Sequence, residues 1–412
     1  VTTVLCVDVG TSSLKAALID ESGNVLAFAR KQFLLFNTEH ASKEWLPSMQ
    51  NLVHELFLQR PKISPDGICI SGNGPTLVAQ SGETLLWNEP SPPLKTSSLF
   101  IPKIIAFKNK FSAAWEKSSF IFSGPEYLLW LLTEQAVTIL PAENFRDAYW
   151  SDDELFSFGL SKDECKKFPQ FVQPGKKIQP LSRKAAAFLT NGDFVLREGL
   201  PVFCGAPDFV SALVGTACVE SGILCDRAGS SEGINFSCAR PVSGEKIRTL
   251  PSVISGLWNA SFLIPDSGSK FSDFREKIQR ESGEKIEFSE LVEKIIFNDG
   301  SNPSLDQGKY LMIQTALKVR DGIFTLKEAA EKIGMEFPAE MRITGGQARN
   351  VLWNQMKADI TGMKIIVPVC TDAELLGDAA FAFSSMGIFS DAKTAAKSLF
   401  KIQRVFSPSE SE

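Results

Sequence analysis

The chain has 412 residues, of which 44% are hydrophobic and 22% charged, and its formal net charge is −5. This is ordinary globular composition, apolar enough to exclude disorder and long enough for roughly two to three domains. It contains no basic domain and no Lys/Arg block, so a nucleic-acid partner is not expected.

Thr3 to Val9, Leu14 to Ile19 and Asn24 to Phe33 read as three strands separated by turn residues, an antiparallel meander. The first turn, Gly10-Thr11-Ser12-Ser13, offers backbone N–H groups and three hydroxyls to an anion. Asp8, just before it, would repel a phosphate unless a cation stood between them. It therefore suits a water-mediated Mg²⁺ partner, or it ties down the turn by hydrogen bonds. Met49 to Gln59 is an amphipathic helix, and Asp66 to Ser71 a strand ending in the turn SGNGPT. Leu77 to Trp87 is a short hairpin. The Pro/Ser-rich stretch Trp87–Ser98 is a loop, whose Trp87, Asn88 and Glu89 either line a polar pocket or have no function.

Ile101 to Thr133 reads as mainly helical, most clearly from Ser123, an N-cap candidate, to Thr133. Two short helices follow, at Asp152–Gly159 and Ser161–Phe168. Pro201 to Cys204 is a buried strand, Gly205-Ala206-Pro207 a turn, and Asp208 opens a helix. Asp is a favoured N-cap, and a strand-to-helix junction is also where α/β proteins place active sites. Arg227 to Phe236 repeats the plan of the first hairpin, a Gly-Ser-Ser turn before an apolar strand, which suggests two halves of common design.

Phe271 to Phe297 reads as solvated helices, and Lys309 to Lys332 as a longer one. Arg342 to Thr344 is a strand, followed by the turn Gly345–Asn350, whose paired glycines let a flat ring approach the backbone. A helix stops at Gly362, Lys364 to Pro368 is a strand, and Glu374 to Gly387 is a helix whose small residues permit either tight packing or close approach of a nucleotide.

The eight cysteines form no C-x-x-C pair and have only two histidines to join them. Reduced, buried thiols in a cytoplasmic protein are expected. No secretory leader is expected ahead of the first strand. No apolar run reaches the ~20 residues of a membrane span, so no membrane partner is expected either.

The order of these motifs resembles the FGGY family of carbohydrate kinases, xylulokinase-like members in particular, within the superfamily of actin, hexokinase and the heat-shock ATPases. The opening D-x-G-T hairpin, the G-x-x-D junction, the Gly-Ser turn, the Gly-Gly-x-Ala turn and the small-residue helix carry the resemblance. It implies an α/β fold of two RNase H-like (actin-like ATPase) domains, drawn at 1–216 and 217–412, with a nucleotide cleft between them. It also implies ATP and Mg²⁺ as cofactors, a sugar as the small-molecule partner, and compatibility with a homodimer.

By the same resemblance, Asp8 is the metal-associated residue and Asp208 the catalytic base. Gly10, Thr11, Ser12 and Ser13 form the first phosphate motif, and Gly229, Ser230 and Ser231 the second. Gly345, Gly346, Gln347, Ala348 and Asn350 form the adenosine motif. Asn73, Gly74, Trp87, Asn88 and Glu89, with Asp208, are the sugar-side candidates. Two departures fall on that side: Gly72-Asn73-Gly74-Pro75 stands where xylulokinase-like members have Gln-Met-His, and Asn88-Glu89-Pro90-Ser91 where they have Asn-Asp and an Arg. The expected activity is phosphoryl transfer from ATP to a ketose or polyol. The alternative is a nucleotide-binding regulator without efficient transfer.

Overall fold

The meander signalled by the first turns becomes one side of a mixed five-stranded sheet in the computed structural model, which describes residues 1–190 and 196–409. Strands β1 (Thr3–Val9), β2 (Ser13–Asp20) and β3 (Val25–Gln32) pair antiparallel in sequence. On the other side of β1 lie β4 (Gly67–Gly72) and then β5 (Val202–Pro207), both parallel. All seven residues of β1 are buried, as expected of a strand covered on both faces. Helix α1 (Trp45–Gln59) buries Trp45, Met49, Leu52, Val53 and Leu56 in the same core. That spacing makes one helical face, and each large apolar side chain on it contributes about 1.5–3 kcal/mol. Helix α2 (Gly124–Thr133) adds to this core, and α3 (Asp208–Gly215) follows β5 without a linker.

The same plan recurs after residue 216. Strands β6 (Ile223–Ala228), β7 (Glu232–Cys238), β8 (Ile247–Pro251), β9 (Trp258–Ile264), β10 (Glu340–Thr344), β11 (Lys364–Pro368) and β12 (Ile402–Phe406) form a second sheet. Its order is β8-β9-β7-β6-β10-β11-β12. The inner run β9-β7-β6-β10-β11 matches β3-β2-β1-β4-β5 in order and direction, three antiparallel strands and then two parallel ones. The two hydroxyl-rich turns thus occupy equivalent hairpins, β1–β2 and β6–β7. Helices α4 (Ser267–Ser282), α5 (Phe288–Ile296), α6 (Pro303–Glu331) and α7 (Val351–Thr361) accompany the second sheet.

Several boundaries differ from expectation. The first amphipathic helix begins at Trp45, and the long helix at Pro303, capped by the Asn302 side chain. The stretch read as mainly helical from Ile101 to Thr133 contains a strand, Ile121–Ser123, which joins a small sheet with Leu77–Ala79 and Thr84–Leu85. The helix Arg183–Leu189 and strands β8, β9 and β12 were not anticipated.

The chain divides into two compact units, Val1–Gly215 with Glu374–Leu399, and Thr216–Ala373 with Phe400–Glu412. A single cut at 216/217 misses the return of 374–399 to the first unit. Helix α8 (Ala373–Ser385) makes that return possible through its glycine, because a Cβ at Gly377 would strike the Ser211 backbone of α3.

Candidate functional site

In the first unit the chemistry gathers where β1, β4 and β5 end. Asp8 lies one residue from the end of β1, 2% exposed. Lys15, its register partner on β2, holds Nζ 3.2 Å from Asp8 Oδ2. The same Nζ is 3.5 Å from Glu374 Oε2 at the start of α8, an ion pair without hydrogen-bond geometry. Asp8 Oδ1 is buried with no hydrogen-bond partner. Burial pushes the Asp8 carboxyl up to about 7; Lys15 opposes the shift, while Glu374 and Asp208 add to it. Strands β1 and β5 flank β4, with Asp8 opposite Ser71 and Pro207 opposite Gly72, so Asp8 and Asp208 stand at the same end of the sheet although 200 positions separate them in sequence.

Asp208 stands at the β5–α3 junction, half-buried, and its Oδ1 accepts from the next backbone N–H, Phe209, at 2.6 Å. Asp208 is the first residue of α3 rather than its N-cap, and this contact with the neighbouring N–H holds the carboxylate at the strand end. In the turn after β1, Gly10 N–H donates to the Ser13 carbonyl at 3.0 Å. Thr11 and Ser12 are half-buried, whereas Ser13 is buried and its hydroxyl accepts from Arg30 Nε at 3.0 Å. Thr11 and Ser12 are thus the more accessible hydroxyls of that turn.

The sugar-side candidates divide. Trp87 is exposed at its loop, and its indole N–H donates to Thr11 Oγ1 at 2.8 Å, tying that loop to the phosphate turn. Asn88 is exposed. Glu89 accepts from Leu86 N–H at 3.1 Å and pairs with Lys110 at 2.7 Å, and its carbonyl accepts from the buried Lys103. Asn73 is buried and internally engaged: its Nδ2 donates to the Val9 carbonyl at 3.1 Å and its Oδ1 accepts from Thr76 at 2.6 Å. It braces the end of β1. Gly74 leaves open space, since a Cβ there would meet only Phe100, at 3.9 Å.

In the second unit, Gly229 and Ser230 are exposed and Ser231 is half-buried. The start of α4 abuts this turn, with Ser269 N–H donating to the Ser230 carbonyl at 2.9 Å. Gly345 adopts φ +92°, and a Cβ there would lie 2.5 Å from the Ala228 carbonyl oxygen, so the Gly345 turn rests directly on the Gly229 turn. Gly346 is exposed with nothing near its missing side chain. Gln347 is buried against the Gly229 carbonyl, and its Oε1 has no partner. Asn350 caps α7, its Oδ1 accepting from Trp353 N–H at 2.9 Å.

Sequence reasoning missed two groups. In the second unit, Lys357 of α7 is wholly buried between Asp226 and Glu232, with Nζ 2.8 Å from Asp226 Oδ2 and hydrogen-bonded to Glu232 Oε1. Burial, with Glu232 beside it, holds the Asp226 carboxyl well above the usual carboxylate range, against the pull of Lys357. The triad ties both ends of the Gly229 turn to the helix that follows the Gly345 turn. In the first unit, Asp378 of α8 accepts hydrogen bonds from Ser71 (2.8 Å) and Ser211 (3.0 Å). Lone acidic or basic residues in helices carry no sequence signal for such contacts.

Among the described residues, no group of three or more His, Cys, Asp or Glu is arranged to hold a metal ion. Mg²⁺ does not need one, because it commonly keeps its waters and takes one or two carboxylates plus substrate phosphates. The unpartnered, buried Asp8 Oδ1 fits such an ion. No helix is long and apolar enough to cross a membrane among the described residues.

Residues 311–386 match the C-terminal domain of the FGGY family of carbohydrate kinases. A probable L-xylulose kinase of Haemophilus influenzae is 22% identical, over 92% of this chain and 90% of its own. Among solved structures, the xylulose kinase of Rhodospirillum rubrum superposes with a TM-score of 0.74 at 15% identity, covering 99% of this chain and 94% of that one. The glycerol kinase of Plasmodium falciparum, solved with ADP, gives a TM-score of 0.76 at 15% identity and the same coverage. With its motifs in order, its duplicated sheet plan and these likenesses in sequence and fold, the chain is similar to the FGGY family of carbohydrate kinases, whose C-terminal domain residues 311–386 match.

Proposed function

We propose that this kinase transfers the γ-phosphoryl group of ATP to a hydroxyl of a ketose such as xylulose, or of a related polyol, with Asp208 as general base. The observation that carries the proposal is that β1 and β5 flank β4 and end together, which puts Asp8 and Asp208 at one end of the first sheet, Asp8 buried with an oxygen unspent. The relatives named as xylulose kinases support the ketose.

In this reading Asp208 accepts the proton of the attacking hydroxyl, a task worth typically ~10²–10⁴-fold. Asp8 would hold a Mg²⁺ ion, which would supply positive charge for the phosphate oxygens. Gly10, Thr11 and Ser12, and likewise Gly229, Ser230 and Ser231, are the phosphate-binding turns. Gly345 and Gly346 let the adenosine lie against the backbone, beside Gln347. Trp87, Asn88 and Glu89 orient the sugar, and Trp87 couples its loop to the phosphate turn through Thr11. The cytoplasm suits the eight free cysteines.

A panel of pentuloses, hexuloses and polyols, read by ADP release in the presence of Mg²⁺, tests the proposal. At least one ketose or polyol should stimulate ADP release strongly. Bound ATP with no stimulation by any member would overturn it and leave a nucleotide-binding regulator.

A further inference from the structure

Asp378 lies in the middle of α8, four residues after Glu374, on a helix rich in small residues. It is fully buried, yet both of its oxygens are used. Its Oδ2 accepts from the Ser71 hydroxyl at 2.8 Å and its Oδ1 from the Ser211 hydroxyl at 3.0 Å. Ser71 sits on β4 as the register partner of Asp8, and Ser211 is on α3, one helical turn after Asp208. Glycine makes the approach possible. A Cβ at Gly205, three residues before Asp208, would lie 2.6 Å from Asp378 Oδ1, and one at Gly377 would strike the Ser211 backbone. Burying a carboxyl costs stability unless its oxygens are hydrogen-bonded, and two hydroxyls from two elements meet that condition here.

We propose that Asp378 is a positioning residue for Asp208: by bridging Ser211 and Ser71 it locks the start of α3 to the strand beside Asp8 and so fixes the distance between base and metal partner. This rests on reading Asp208 as the base. The bridge acts along the whole junction, because the Gly205 backbone, the Ser211 hydroxyl and the Asp208 carboxylate belong to one continuous strand–helix turn. A shift of about 1 Å in a reacting group costs on the order of 10²-fold in rate.

The test is steady-state kinetics of Asp378→Ala, Asp378→Asn, Ser211→Ala and Asp208→Asn, with ATP binding and thermal unfolding measured on each. Asp378→Ala should lower kcat by roughly 10- to 100-fold while KM for ATP stays within about twofold. Asp378→Asn retains a group that can bond both hydroxyls and should recover most of that loss. Ser211→Ala, which breaks one arm, should fall between them. A lowered melting temperature with unchanged kcat in Asp378→Ala would overturn the proposal, as would Asn giving no recovery. If Asp378→Ala does not fold, the order of Asp378→Asn and Ser211→Ala decides: equal kcat in both and in the parent would overturn it. Activity retained by Asp208→Asn would instead refute the base assignment, a separate failure.

Discussion

The two units share one sheet plan and put a hydroxyl-rich turn in the same hairpin, but they treat charge beneath that turn in opposite ways. In the first unit Asp8 is paired on one side only, by a Lys15 that is itself 15% exposed, and keeps one oxygen free. In the second, Lys357 is wholly enclosed and binds both Asp226 and Glu232, which are as fully buried as it is and each also keep one oxygen without a hydrogen-bond partner; the difference is enclosure, not an unspent oxygen. A partly paired carboxyl with a perturbed pKa can take a cation or feel a reacting group; an enclosed ion triad can do neither. The two copies of the frame thus differ in enclosure: the charged pair beneath the first turn is partly open to solvent at Lys15, and the triad beneath the second is sealed.

The sharpest way to break this contrast is to remove the cation from the enclosed triad. Lys357→Met leaves two buried carboxyls facing each other and should cost about 3–5 kcal/mol of stability, read as a large drop in melting temperature. The Asp226 carboxyl, whose folded pKa is raised by burial, binds its proton more tightly in the native state, so its contribution to stability falls as pH rises. The loss in Lys357→Met should therefore be largest at neutral and alkaline pH and shrink on acidification. A variant as stable as the parent would remove the structural role assigned to the triad.

The open side is probed by pH. Asp8 has its carboxyl pushed from 3.8 to about 7 by burial, with Lys15 opposing. In the absence of a cation its contribution favours the folded state at low pH and is lost as pH rises from about 3.8 through 7. Mg²⁺ needs the ionised form, so its apparent affinity, measured by titration with ATP present, should weaken by about tenfold for each pH unit below 7. Affinity flat between pH 5.5 and 8 would mean that Asp8 is not the metal partner.

The smallest effect concerns the tie between the sugar-side loop and the phosphate turn. Trp87→Phe removes the indole donor to Thr11 and keeps the aromatic ring. At an exposed site that hydrogen bond is worth about 0.5–1.5 kcal/mol. KM for the sugar should rise by a few fold, and an unchanged KM would detach Trp87 from substrate binding.

What was legible in the sequence was what local chemistry dictates. Gly10–Ser13, Gly229–Ser231 and Gly345–Gly346 announce turns, and Asp208 announces a helix start, because turn and cap preferences act over a few residues. Strands β8 and β9 were missed because their polar positions blur the alternation, as with Thr249, Asn259 and Ser261. Strand β12 was missed because four of its five residues are exposed at the sheet edge. Asp378 was invisible for another reason: its partner Ser71 lies 307 residues away and Ser211 lies 167 away. The same holds for Lys357, 131 residues from Asp226. Helix α8 illustrates both sides, since its glycine and alanines rightly signalled close packing while the acids that use that closeness gave no signal. Asn73 shows the converse, a residue singled out for the sugar whose amide is already engaged with its own loop.

The central claim is that Asp208 is the base that makes the open unit catalytic. It is tested most directly by comparing phosphoryl transfer and ATP binding in Asp208→Asn, with a ketose or polyol that the parent enzyme phosphorylates. Transfer should fall by about 10²–10⁴-fold while ATP binds as tightly as before. Turnover within a few fold of the parent would contradict the claim.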